Sequence, residues 1–152
     1  MDLRNKMSHY VYNSSGGREG AEALLKDVSG KNGLLQKFEM WLSEITCTKH
    51  NGSGHFLIAD RATAPDFHLW ELLEQYKALA AFYNFPDPLK DFPHLSTFLS
   101  GFSARPENVR YLSSKLNALP FNQKMAKFGA TPSGAVWTPG MTYTWSNDSG
   151  SY

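Results

Sequence analysis

The chain has 152 residues, with fifteen Lys and Arg against fourteen Asp and Glu for a formal charge of +1; one domain of that length can enclose its own core, and no basic stripe offers itself to a nucleic acid. Charged residues make up 19% and aromatics 14%, a balance that excludes a disordered chain. Seventeen Leu against four Val and two Ile favour helix over sheet, and the lack of any run of about 18 apolar residues excludes a membrane-spanning helix.

Leu3, Met7, Tyr10 and Val11 recur at helical spacing from Asp2 to Tyr12, and Asn13-Ser14-Ser15-Gly16-Gly17 ends the element. Met1 gives this first helix no cap. A second helical pattern runs from near Arg18 through Ala21, Leu24, Leu25 and Val28. It pauses at Gly30-Lys31-Asn32-Gly33 and resumes through Leu34, Leu35, Phe38, Trp41, Leu42 and Ile45, as one bent helix or two successive ones. Thr48 to Gly54 reads as a loop, and Phe56-Leu57-Ile58-Ala59 as a short apolar run dipping into the core.

Thr63-Ala64-Pro65-Asp66 then supplies a hydroxyl at the N-cap position and a carboxylate three residues on, with Pro in the first turn, where its missing N–H costs nothing. The helix behind it carries Phe67, Leu69, Trp70, Leu72, Leu73, Tyr76, Leu79 and Ala80, apolar almost all round, and so belongs at the centre of a bundle. Pro93 opens a further helix with Leu95, Phe98, Leu99 and Phe102, and Pro106 another with Val109, Tyr111, Leu112 and Leu116. Phe121 to Phe128 is expected to add a short one. Beyond Gly129, Pro, Gly and Ser rule out regular helix, while Trp137, Met141, Tyr143 and Trp145 are too apolar for a solvated linker. The stretch reads as an extended arm lying on something.

Asp60-Arg61-Ala62-Thr63-Ala64-Pro65-Asp66-Phe67 resembles the capped central helix of the C-terminal domain of glutathione transferases, and Asp91-Phe92-Pro93-His94-Leu95 resembles that family's FP-x-L helix start. Met1-Asp2-Leu3-Arg4 with Tyr10-Val11-Tyr12-Asn13 is similar to the first helix of the mu-class domain, and Leu119 to Ala126 to its C-terminal KMA segment. The resemblance, strongest to the mu class, spans about Met1 to Phe128. It implies an all-α helical bundle over residues 1–129, followed by the arm over 130–152. It further implies that the thioredoxin-like domain, which would hold glutathione and activate its thiol, is absent, and that Met1 falls inside an element the family starts several residues earlier.

By the same resemblance Tyr12, Phe121 and Asn122 line the wall for a hydrophobic electrophile, with Tyr12 the residual catalytic candidate, and Asp2 reaches toward the glutathione of a neighbouring subunit. Thr63 and Asp66 are structural caps. No cofactor is expected, glutathione entering only if a thioredoxin-like domain is supplied elsewhere. No metal is expected either, because His9, His50, His55, His68 and His94 form no ligand-spaced set with a carboxylate. Cys47 is alone and cannot form an internal disulfide, which fits a soluble protein of a reducing compartment. Glu71 and Glu74, a turn apart, read as the least buried edge of their helix.

The function expected on these grounds is that of a non-catalytic, structural or bridging subunit of a larger assembly. Its protein partners would be gripped by Trp137, Tyr143, Trp145 and Tyr152 and by an apolar face around the first helix and the Phe67 to Tyr76 helix. The alternatives are a fragment of an active mu-like transferase and a module that binds a small hydrophobic ligand.

Overall fold

The structure is a computed structural model that describes residues 2–13, 17–48, 56–58, 61–114, 117, 122, 126 and 128. Among these the regular elements are six helices: α1 (Leu3–Tyr12), α2 (Gly17–Ser29), α3 (Leu34–Thr48), α4 (Ala64–Phe82), α5 (Pro93–Ser103) and α6 (Pro106–Leu112). The all-α reading therefore holds for the described chain. None of its helices is long and apolar enough to cross a membrane. The domain boundary placed at residue 129 and the short helix placed over 121–128 lie outside the described residues or rest on isolated positions.

Helix α1 corrects one expectation. It is capped, by Asp2, whose Oδ1 accepts the Asn5 backbone N–H at 2.7 Å; the carboxylate satisfies a donor that the first turn leaves orphaned. Leu3, Met7, Tyr10 and Val11 then turn inward, as their spacing demands. The Gly30–Gly33 pause separates two helices instead of bending one. Gly33 donates to the Gly30 carbonyl at 2.8 Å, and a Cβ on Gly33 would collide with the Val28 carbonyl, so only glycine lets the chain fold this tightly between α2 and α3.

The capping box at the head of α4 forms, with Asp66 as its hub. This fully buried carboxylate accepts the Thr63 N–H at 2.8 Å, the Thr63 hydroxyl at 2.5 Å and the Leu57 N–H at 2.7 Å. The last of these fastens the Phe56–Ile58 run to the helix start and explains why only part of that run enters the core: Leu57 is buried, whereas Ile58 is 69% exposed. Behind the cap, Leu73, Tyr76, Leu79 and Ala80 are removed almost entirely from water, placing α4 at the centre against α1, α2 and α5. Each large apolar side chain so buried contributes about 1.5–3 kcal/mol.

Helices α3 and α5 pack side by side, and the join is polar as well as apolar. Glu39 of α3, nearly buried, accepts the backbone N–H groups of His94 and Leu95. It thereby caps α5, whose own N-cap, Phe92, has no side chain able to do so. Asn108 of α6 donates through Nδ2 to the Phe102 carbonyl at 2.7 Å, tying α6 to the end of α5.

Candidate functional site

Helices α1 and α4 meet where the Tyr76 hydroxyl donates to the Leu3 carbonyl at 2.8 Å. Along this junction runs a cleft of about 320 Å³. Its residues recur at helical spacing on both sides: Arg4, Met7, Ser8, Val11 and Tyr12 from α1, and His68, Glu71, Leu72 and Gln75 from α4, with Asn122 at one end. Met7, Val11 and Leu72 lie at its base almost wholly buried, while Arg4, Ser8, His68 and Glu71 are exposed above them as a polar lip, so most of the surface the cleft offers is polar.

The structure brings together two of the residues singled out by sequence. The half-buried Tyr12 donates its hydroxyl to Asn122 Oδ1 at 3.4 Å, and Asn122 Nδ2 donates to the Phe128 carbonyl at 3.0 Å. The second bond fixes which amide atom faces Tyr12. The first is at the long limit for a hydrogen bond, so a ligand oxygen at normal distance can replace Asn122 as the acceptor of the Tyr12 proton.

Other residues singled out by sequence lie elsewhere. Asp2 is exposed at the N-cap of α1, its carboxylate engaged by the Asn5 N–H, and does not line the cleft. Thr63 and Asp66 are occupied in the capping box. Phe121, Trp137, Tyr143, Trp145 and Tyr152 are outside the described residues, as are His50 and His55. Among the described residues no three His, Cys, Asp or Glu side chains gather as metal ligands. Glu71 faces the cleft and accepts Gln75 Nε2 at 3.2 Å, whereas Glu74 is turned away from it and partly buried, which pushes its carboxyl up against the opposing pull of Lys77. Burial likewise raises the Tyr10 and Tyr76 hydroxyls far above the ordinary phenol, so both stay protonated as hydrogen-bond donors.

The face between α1 and α4 also differs from the continuous apolar surface expected there. The apolar residues of both helices turn inward on each other, and what they leave outward is the polar lip. The large apolar side chains with most exposure lie mainly on other parts of the surface: Met40 and Trp41 of α3, Ile58, Phe82 at the end of α4, and Val109 and Tyr111 of α6, with Phe67 at 44% the exception near the cleft. Sequence reasoning missed Arg4, Ser8, His68 and Gln75 as a lining set. The signal was present as two polar stripes, Arg4-Ser8-Tyr12 and His68-Glu71-Gln75, one on each helix.

Comparison with known proteins identifies the family. Residues 1–115 match the family described as glutathione S-transferase, C-terminal domain. The chain is 30% identical over 122 residues to glutathione S-transferase P of Macaca mulatta, covering 80% of this chain and 51% of the relative. It is 26% identical over 133 residues to human glutathione S-transferase Mu 3, covering 87% and 51%. The human P protein matches at 30% over 113 residues, 74% of this chain and 47% of that one. Mu and P relatives are thus both represented, and the chain spans about half the length of the curated relatives it matches. No solved structure gives a significant match. With the family matched over most of its length and the expected helices in the expected order, the chain belongs to the glutathione S-transferases, as the helical C-terminal domain of that family.

Proposed function

We propose that this chain supplies the electrophile-binding half of a glutathione transferase site and works with a thioredoxin-like domain that delivers the thiolate. The observation that carries this reading is the Tyr12 hydroxyl, held at the cleft between α1 and α4 by a long and replaceable bond to Asn122. When a glutathione thiolate adds to an unsaturated carbonyl, sulfur bonds to the β-carbon and the alkene pair shifts so that negative charge develops on the carbonyl oxygen. Tyr12 is the donor available to meet that charge. The relatives that match the chain carry the name glutathione S-transferase and extend to about twice its length, which supports a partnership between two domains.

The test is turnover by the chain fused behind a glutathione-binding thioredoxin-like domain, with and without Tyr12→Phe. A hydrogen bond to a charged group is worth about 1.5–3 kcal/mol, so the variant should be slower by roughly tenfold to a hundredfold at saturating enone. An unchanged rate, or a folded fusion without conjugation, would overturn the reading.

A second reading, a non-catalytic bridging subunit, is favoured by a different observation. Trp41 is 50% exposed although its Nε1 donates to the Leu57 carbonyl at 2.8 Å, and Met40 and Ile58 beside these residues in sequence are 55% and 69% exposed. Half-exposed Trp anchors of this kind are enriched at protein interfaces. On that reading Trp137, Tyr143, Trp145 and Tyr152 add further anchors. Deleting residues 130–152 should then weaken association as measured by sedimentation, and unchanged association would remove the arm from the account.

A further inference from the structure

One group of aromatic side chains, at the head of α4, is only half covered. Around the buried Phe102 ring stand Phe67 at 4.9 Å, Trp70 at 5.9 Å and Phe56 at 6.4 Å, and Tyr111 adjoins Trp70 at 6.1 Å. Phe67 and Tyr111 are exposed and Phe56 is half-buried, so the rim of the group is an aromatic patch open to solvent. Arg105 lies in it, its guanidinium carbon 5.4 Å from the Phe56 centroid and 5.8 Å from that of Phe102. Its ion pair with Glu107 is long, at 3.6 Å, and among the described residues its shielded Nε has no acceptor. The patch therefore suits an occupant that is aromatic and brings a carboxylate to the guanidinium.

The chain carries such a segment beyond its described residues. Residues 129–152 hold Trp137, Tyr143, Trp145 and Tyr152, and their one charged side chain is Asp148, three residues past Trp145. The point of departure is fixed: Phe128 is buried, and its ring lies 5.8 Å from that of Phe82, the last residue of α4. Phe82 and Phe67 are fifteen residues apart on that helix, a rise of about 22 Å and a net turn of about 60°, so they share a side. Trp137 is nine residues past Phe128, a reach of up to about 30 Å. That reach spans the helix, and the tether holds the segment near the patch at an effective concentration on the order of 1 mM, which favours it over a separate chain.

Going beyond the transferase reading and independent of it, we propose that residues 137–148 dock on the patch around Phe102 of their own chain, with their aromatic rings against Phe67 and Tyr111 and Asp148 on Arg105. The aromatics of the arm are then engaged within the chain and are not offered to a partner.

Photocrosslinking of the full chain, with p-benzoylphenylalanine in place of Met141, tests this in an equal mixture of light and heavy isotope-labelled protein. Digestion and mass spectrometry should find position 141 joined to peptides containing Phe56, Phe67, Arg105 or Tyr111 of the same isotope. Asp148→Lys, a change confined to the arm, should lower that yield a few-fold, about the effect of turning one partly exposed ion pair into a repulsion. Joining to other parts of the surface, no joined product, a light–heavy product that gives the patch to a second copy, or a yield indifferent to Asp148→Lys would overturn the proposal.

Discussion

The Glu39 carboxylate, on α3, accepts the backbone N–H of His94 at 2.9 Å with one oxygen and that of Leu95 at 2.8 Å with the other, so one helix supplies the cap of another. The arrangement compensates for Phe92 at the N-cap of α5, which cannot accept a hydrogen bond through its side chain. Pro93, the residue between, has no N–H to satisfy.

Glu39→Ala should therefore cost on the order of 3 kcal/mol, because two charge-assisted bonds are lost and the Leu95 amide is left buried without an acceptor. Glu39→Gln, with one oxygen remaining, should cost less. Urea denaturation gives both values, and an alanine variant with an unshifted midpoint would show that the bonds contribute nothing net.

Asp66 gathers three donors in a site with no exposure. Asp66→Ala should be the more damaging of two changes at this cap, at about 3 kcal/mol or more for the loss of a buried network, against about 1 kcal/mol for Thr63→Ala. Thermal unfolding of the pair would reverse this order if the hydroxyl, and not the carboxylate, organised the helix start.

Gly33→Ala tests space, not charge. The added methyl group meets the Val28 carbonyl, which is backbone and cannot move aside cheaply. A loss of about 1–3 kcal/mol is expected from the overpacking, whereas Gly17→Ala meets no neighbour and loses stability only through its positive φ of 74°. Equal stability of Gly33→Ala and the unaltered chain in chemical denaturation would refute the close approach.

Glu74 gives a pH dependence of definite sign. Burial raises its carboxyl above the ordinary 4.5, so the folded state holds this proton more tightly than the unfolded chain does. Its contribution to stability is complete below about pH 4.5 and is lost as pH rises through the folded value. Glu74→Gln should flatten the stability curve over that window while leaving the acid limb below it unchanged, as followed by urea midpoints at successive pH values. An identical slope in both proteins would assign the effect to other carboxylates.

The helix starts were legible because their chemistry is local: Thr63-Pro65-Asp66, Pro93 and Pro106 each announce a first turn within four residues. The Asp2 cap is equally local, an acidic residue directly before the first helical position. Glu39 could not be read in this way, since its partners lie 55 and 56 positions away and nothing in LLQKFEMWL distinguishes a capping carboxylate from a solvated one. Tyr12 and Asn122 stand out in the sequence only through the family resemblance. Arg4, Ser8, His68 and Gln75 do not, because a polar stripe becomes a lining only when the opposite helix is known. Nor does the sequence alone show how much of the apolar surface of α1 and α4 is consumed between the two helices.

The end of α1 and the start of α2 are both tied to the segment that follows α4. The Tyr10 hydroxyl contacts the Gly17 carbonyl at 3.2 Å and the Tyr83 hydroxyl at 3.3 Å, Arg18 donates to the Tyr83 carbonyl, and its guanidinium lies 4.5 Å above the Phe85 ring. Gly20 lets this happen, since a Cβ there would press on the Tyr10 ring at 3.3 Å. With α1 moored at both its first and last turns, the gap between the two helices is set by the scaffold before any molecule arrives. On the transferase reading, the breadth of a guest in the cleft is thus set by contacts that never touch it.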